Sequence, residues 1–434
     1  MKKIINLLVV LFTITSVNAQ ETIYPAKEAK GITYIKNGTV HVGNGQVFAN
    51  AVIKINNGKI EAVGTDITIP AGSNVIDAAG KQVYPGLILP SSQLGIVEIG
   101  GNAVRGSNDF QELGDINTNI RSIAAYNADS KIINTLRANG ILLAQTVPVG
   151  SLIAGTSSTV QLDAWNFEDA AYVLDNGLHF YMPSLLPRPS RFAIFFGLQQ
   201  GDVVKEGLDK IEVVRNFFRD AKAYLQNTGG VEPNLKLEAV KGLFNKKQKL
   251  FIHANEVKQM LIAIDFVKEF GFDVVIVGAA ESWQIADLLK QNNIAVILSQ
   301  EHSLPTLDDD DIDQPFKAPA ALQKAGVLYC LNDDDGQNRG RNLPFNAGTA
   351  VTYGLTKEEA LSAITMNTAK ILGIADRTGS IEAGKDANII ISNGDILDMR
   401  TSVVTAAFIQ GRQIELSSKH TQLFERYKQK YNIK

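Results

Sequence analysis

The chain has 434 residues, 45% of them hydrophobic and 20% charged, with a formal net charge of −3. That is ordinary globular composition, long enough for one large core and a smaller domain, and it gives no reason to expect a nucleic acid or an anionic membrane as partner. The single cysteine, Cys330, excludes an intramolecular disulfide and a Cys-rich zinc site, and its apolar surroundings read as a core thiol.

In chain order, Lys2 and Lys3 precede an apolar run over 4–12, and Ser16-Val17-Asn18-Ala19 offers small residues where a signal peptidase cuts. Residues 1–19 are therefore expected to be a cleaved leader, and the mature chain to be exported, periplasmic or secreted. The run is short for a bilayer span, and no other stretch could serve as one. From Gly31 to Tyr84 the strands Ile32–Lys36, Thr39–Val42, Ala51–Ile55 and Lys59–Val63 are expected. They are separated by Asn37-Gly38, Gly43–Gly45 and Asn56-Asn57-Gly58, residues that tolerate positive φ. So small a sheet cannot bury a core alone. Its missing strands are expected at the other end, in Ile389–Ile391 and Val403–Ile409.

Between these ends the hydrophobic period switches repeatedly between strand and helix, as a (β/α) barrel requires. Barrel strands are expected at Leu87–Leu89, Ile141–Val147, Thr159–Leu162, Leu250–His253, Val274–Val277, Ala295–Leu298 and Val327–Leu331. Helices are expected at Ser130–Asn139, Asp209–Gln226, Val257–Phe270, Ser282–Asn292 and Ala318–Ala325. Another, Lys357–Ile371, opens with Thr356 and Glu359 spaced as a capping box. Leu186–Lys249 exceeds one crossover and reads as carrying an insertion, and Thr421–Lys434 reads as a polar helix. The expected divisions are the leader 1–19, sheet strands in 20–84, a barrel over 85–375, closing strands in 376–415 and the helix in 416–434.

The stretch Val83–Gly100 reads VYPGLILPSSQLGIVEIG, a buried strand leaving a Pro-Gly break. It resembles the first barrel strand of the metal-dependent amidohydrolases, the imidazolonepropionase-like branch in particular, where P-G-L-I-D-x-H-x-H supplies two metal-binding histidines. Pro85, Gly86, Leu87 and Ile88 match, Leu89 stands at the Asp, and Ser91 and Gln93 stand at the histidines. The closing segment Gly379–Ala387 resembles the family's G-x-[IL]-x-x-G-x-x-A-D-[IL] signature, with Asn388 at the Asp. The resemblance runs from Gly31 to Gly411. It implies an α/β fold, a distorted (β/α)8 TIM barrel beside a small β-sandwich built from both chain ends. The activity it implies is hydrolysis of C–N bonds by a metal-bound hydroxide, with the last-strand Asp as general base.

Catalytic zinc needs about three protein ligands and an open position for water, whose pKa it lowers to about 7. By the same resemblance, Gln161 stands at a metal-bridging lysine and Gly278 at a histidine, while His253-Ala254-Asn255 keeps the ligand histidine of an H-A-H motif. Spacing puts the last-strand Asp at Asp334, with Asp333 the close alternative. His253 and Asp334 thus keep metal-competent side chains, whereas Ser91, Gln93, Gln161 and Gly278 mark ligand positions that have been replaced. No cofactor is expected, and zinc only if the site is reduced rather than lost. Arg339 and Arg341 could hold an anionic substrate, although surface arginines are the commoner case. Asp308–Asp311 reads as a solvated acidic loop. Two classes stay open. One is a hydrolase of non-peptide C–N bonds, of the cyclic amide type, with a reduced site. The other is a non-catalytic relative that binds a ligand or an intact partner subunit. The partner expected is a small molecule, with no nucleic acid and no membrane span. A homo-oligomer or a pairing with an active paralogue stays open.

Overall fold

Alternating apolar residues build the first sheet. The computed structural model describes residues 23–98, 108–186, 202–227, 232–299, 301–307, 309–333 and 339–433. The expected leader, Asp308, Asp334 and the side chain of Arg339 lie outside the described residues. Strand β1 (Ile32–His41) pairs antiparallel with β2 (Val47–Asn56), and β2 with β3 (Lys59–Gly64). The two strands expected between Ile32 and Val42 are one strand, irregular across Asn37 at φ 65°. That kink lets its first half pair with β4 (Asn74–Asp77) and its second half with β5 (Gln82–Pro85), both in parallel.

The barrel follows at once. Its eight strands are β6 (Leu87–Ser92), β7 (Ile141–Thr146), β8 (Ile153–Gln161), β9 (Ala171–Tyr181), β10 (Lys249–Ala254), β11 (Val274–Gly278), β12 (Ala295–Leu298) and β13 (Tyr329–Leu331), side by side in that order. The seam between first and last strands is bridged where the Ser91 amide donates to Asn332 Oδ1 at 3.3 Å. Nearby, the Ile88 amide donates to the Ile364 carbonyl at 3.0 Å. At Ile364 the helix expected over Lys357–Ile371 is divided into Lys357–Ala363 and Met366–Leu372. The expected capping box is present, with Thr356 and Glu359 bonding reciprocally.

One part of the barrel departs from a regular (β/α) order. Strand β8 runs antiparallel to both β7 and β9, and the remaining pairs are parallel. The reason is length. Only 147–152 and 162–170 connect these strands, and a parallel crossover needs roughly a dozen residues or more. The expected strand Thr159–Leu162 is thus the end of a longer reversed strand, and β9 is a strand the sequence reading omitted. The expected insertion is largely the crossover from β9 to β10. It carries the helix Val203–Gln226, whose buried Ile211, Val214, Phe218 and Ala221 recur at helical spacing. Phe218 packs edge-on against Phe272, with ring centroids 5.2 Å apart.

The two chain ends meet in the first sheet. Strand β14 (Ile389–Ser392) pairs antiparallel with β5, β15 (Val404–Ile409) with β14, and β16 (Arg412–Gln413) with β15. Ile389 and Ile391 join Ile35, Val40 and Ile53 in this domain's core. Ile390, on the other face of the same strand, belongs to the barrel core. The closing helix spans Lys419–Tyr431 and has no buried residue. No described helix is long and apolar enough to cross a membrane.

Candidate functional site

Catalytic groups of a barrel of this kind gather at the carboxyl ends of its strands. There the structure forms a cavity of about 210 Å³, whose lining includes Ser91, Gln93, Tyr181, His253 and Asp333. Ser91 and Gln93 come from the end of β6, Tyr181 from β9, His253 from β10 and Asp333 from just beyond β13. Three of the sequence-derived positions, Ser91, Gln93 and His253, therefore converge, together with the alternative last-strand Asp333. Asn346 Nδ2 donates to Asp333 Oδ2 at 3.1 Å, which holds that carboxylate on the wall.

The histidine is not alone. Parallel pairing puts His253 opposite Tyr181 and Phe251 opposite His179, and the period of two turns all four rings to one face. Tyr181 stacks on His253 with ring centroids 3.8 Å apart, and His179 stacks on Phe251 at 5.0 Å. His179 Nδ1 lies 2.9 Å from His253 Nε2, so one ring donates to the other. Burial lowers the pKa of His253 to about 3. Burial, and then the neighbouring His253, push His179 well below the ordinary imidazole value. Both rings are neutral at physiological pH. His179 Nε2 is buried without a hydrogen-bond partner.

Two expected ligand positions are not in this cavity. Gln161 was expected beside it, but β8 is reversed, so the carboxyl end of that strand lies at the opposite mouth, paired with Leu143 near the start of β7. There Gln161 Oε1 accepts from Arg412 at 3.1 Å and its Nε2 donates to the Asp169 carbonyl at 3.1 Å. It braces the two domains. The next parallel strand, β9, brings His179 and Tyr181 to the site instead. The signal that could have found them is the shortness of the connections around β8. Gly278 closes β11 and lines a neighbouring, smaller cavity with Glu301 and Ser299. Its φ is +95°, and a Cβ there would stand 2.4 Å from Asn255 Oδ1. A side chain at this position is strained by the backbone conformation and meets Asn255 Oδ1, which would have to move. Replacing Gly278 by histidine is expected to cost about 2–4 kcal/mol, read as a lower urea midpoint. An unchanged midpoint would show that Asn255 and the backbone give way freely. Arg341 is half-buried and does not line the cavity.

The donor set can be tested against zinc. Two nitrogens on one tetrahedral zinc, each at about 2.0–2.1 Å, stand roughly 3.3 Å apart, and the shorter His179–His253 contact is a hydrogen bond. Among the described residues no three His, Cys, Asp or Glu side chains are grouped to hold a metal.

The profile of the Amidohydrolase family matches residues 253–414. The chain is 26% identical to an imidazolonepropionase of Thermoplasma volcanium over 367 residues, covering 80% of this chain and 84% of that one. It is 24% identical to an imidazolonepropionase of Deinococcus radiodurans over 372 residues, covering 81% and 88%. Among solved structures, an amidohydrolase from Thermotoga maritima superposes with a TM-score of 0.76 at 27% identity, covering 88% of this chain and 99% of the other. Molinate hydrolase, at a TM-score of 0.52 and 17% identity over 90% of this chain and 96% of its own, shares the fold.

Proposed function

The chain belongs to the amidohydrolase superfamily, in its imidazolonepropionase-like branch, and from that premise we propose that its barrel mouth binds a small amide-type molecule without the superfamily's paired metal centre. The family's chemistry is hydrolysis of C–N bonds, and this chain keeps the framework on which that chemistry is built. One observation carries the proposal: Nε2 of His253 is bonded to a second buried imidazole, and Ser91 and Gln93, which the resemblance sets at ligand positions, line the same cavity. The described residues do not fit a two-metal site.

Magnitudes favour binding over turnover. A positioned general base contributes about 10²–10⁴-fold, whereas enzymes typically accelerate reactions by about 10⁶–10¹⁷-fold. Asp333 without a metal-bound hydroxide would supply only the smaller factor. Hydrolysis by a reduced site is the second reading, favoured by Asp333 on the cavity wall, where a base would have to sit.

The test is elemental analysis after dialysis against trace zinc. The wild type is expected to hold far less than stoichiometric zinc, and Ser91→His/Gln93→His to gain weak binding. One or two equivalents in the wild type would overturn the proposal, and turnover of lactams by the metal-free protein would establish the second reading. We also propose that the mature chain is exported and begins at Gln20, which the intact mass of protein from its native host decides. A ligand-binding role is compatible with a homo-oligomer or with an active paralogue as partner.

A further inference from the structure

Among the described residues, one buried carboxyl has no partner on either oxygen. Glu301 follows β12, is 2% exposed, and has neither carboxylate oxygen hydrogen-bonded. Burying an ionised carboxylate without a partner is costly enough that the group stays protonated instead. Burial, and then the charge of Asp333, push its carboxyl well above the usual range. A carboxyl kept for structure would be expected to carry a partner, as Asp163 carries Arg137 and Arg412 at the opposite mouth.

Glu301 lines a cavity of about 50 Å³ at the ends of β11 and β12, room for a head group of a few heavy atoms. Among the described residues its other charged lining residue is Asp310, and none is Lys, Arg or His. Leu298, Leu304, Pro305 and Ala318 supply apolar walls. Asp309, Asp311 and Asp313 lie in the same loop, where Lys317 pairs with Asp311. An anionic head group is disfavoured by Asp310 and by any ionisation of Glu301. A neutral one would leave the acidic surroundings unused.

We propose that this cavity binds the head of a primary alkylammonium group, with Glu301 as its buried counter-ion and Asp310 at the rim. Asp333 lines the larger cavity and its charge acts on Glu301, so the ligand this pair of cavities selects is an amide that also carries an amine. This identification of the ligand rests on the binding reading above. Zinc content tests that reading and amine affinity tests this one, so either can fail alone.

The experiment is isothermal titration of the full chain at neutral pH with n-butylammonium, against n-butanol as the neutral probe of similar shape. Butylammonium is expected to bind with one-to-one stoichiometry and butanol not to bind. Glu301→Gln is expected to weaken the amine at least about tenfold, the loss of a buried charge-assisted contact, while raising the melting temperature of the free protein. Asp310→Lys, at the rim and outside the buried core, is expected to weaken it comparably with the fold intact. Either variant losing amine affinity while butanol stays silent supports the site. A wild type that binds neither probe, or binds butanol as well as the amine, would overturn it, as would unchanged amine affinity in both variants.

Discussion

Ending the chain at Thr378 is expected to leave a protein that does not fold. The cut removes β14, β15 and β16, the strands that continue the sheet beyond β5, and with them Ile381, Ile389, Ile390, Ile391, Ile396, Phe408 and Ile409, all at 2% exposure or less. A fully buried side chain of this size contributes about 1.5–3 kcal/mol, so the seven together approach or exceed the whole net stability of a domain, about 5–15 kcal/mol. The loss also strikes both cores, because β14 alternates Ile389 and Ile391 toward the small domain with Ile390 toward the barrel. What remains is β5 with an unpaired apolar edge, which templates aggregation. Recombinant 20–378 should be found in the insoluble fraction, and any soluble part should lack a cooperative thermal transition. A soluble, cooperatively melting fragment would mean that the two ends do not form one folding unit.

That expectation was open to a reader of the sequence. The turn residues Asn56-Asn57-Gly58 and the apolar strand Ile389–Ile391 mark two incomplete sheets, and neither has enough strands to cover itself. The runs Ile141–Ala144, Val274–Val277 and Ala295–Leu298 were equally plain, because strands buried on both faces are written in unbroken apolar letters. The hairpin of β8 and β9 was not. Its first strand buries Gly155-Thr156-Ser157-Ser158-Thr159, letters that read as loop, and its second passes through Asp175-Asn176-Gly177 before reaching His179. Reversal of one strand then moved Gln161 to the wrong end of the barrel and hid the imidazole that bonds to His253. Glu301 was illegible for a different reason. An acid just past a strand end is ordinarily solvated, and nothing in its neighbours says that it is buried.

The reversed strand has a second consequence, since it brings Asp163 under the barrel as a junction between parts distant in sequence. Asp163 Oδ1 accepts from Arg137 Nη1 at 2.5 Å, and its Oδ2 accepts from Arg412 Nη1 at 3.2 Å and from the Ala26 amide at 2.9 Å. The Asp163 and Arg137 side chains are 1% and 5% exposed. Such a pair gives little net stability over apolar residues of the same shape, because both charges lose their water. Removing one partner is another matter, since the other is left charged and dry. Asp163→Ala is therefore expected to destabilise by about 3–5 kcal/mol, among the largest losses any single substitution here should give. It should also loosen the segment at Ala26 and the contact of β16 with the barrel, read as faster amide exchange at both. The partner variant separates the two contributions. Arg137→Met alone should cost less, because Arg412 still pairs with Asp163. The double variant Asp163→Asn/Arg137→Met, which removes the two most buried charges and leaves Arg412 its carbonyl and Gln161 acceptors, should recover part of the loss in urea denaturation. If Asp163→Ala costs under about 1 kcal/mol, the range of an exposed pair, water reaches this junction and the two domains are held by their shared sheet alone.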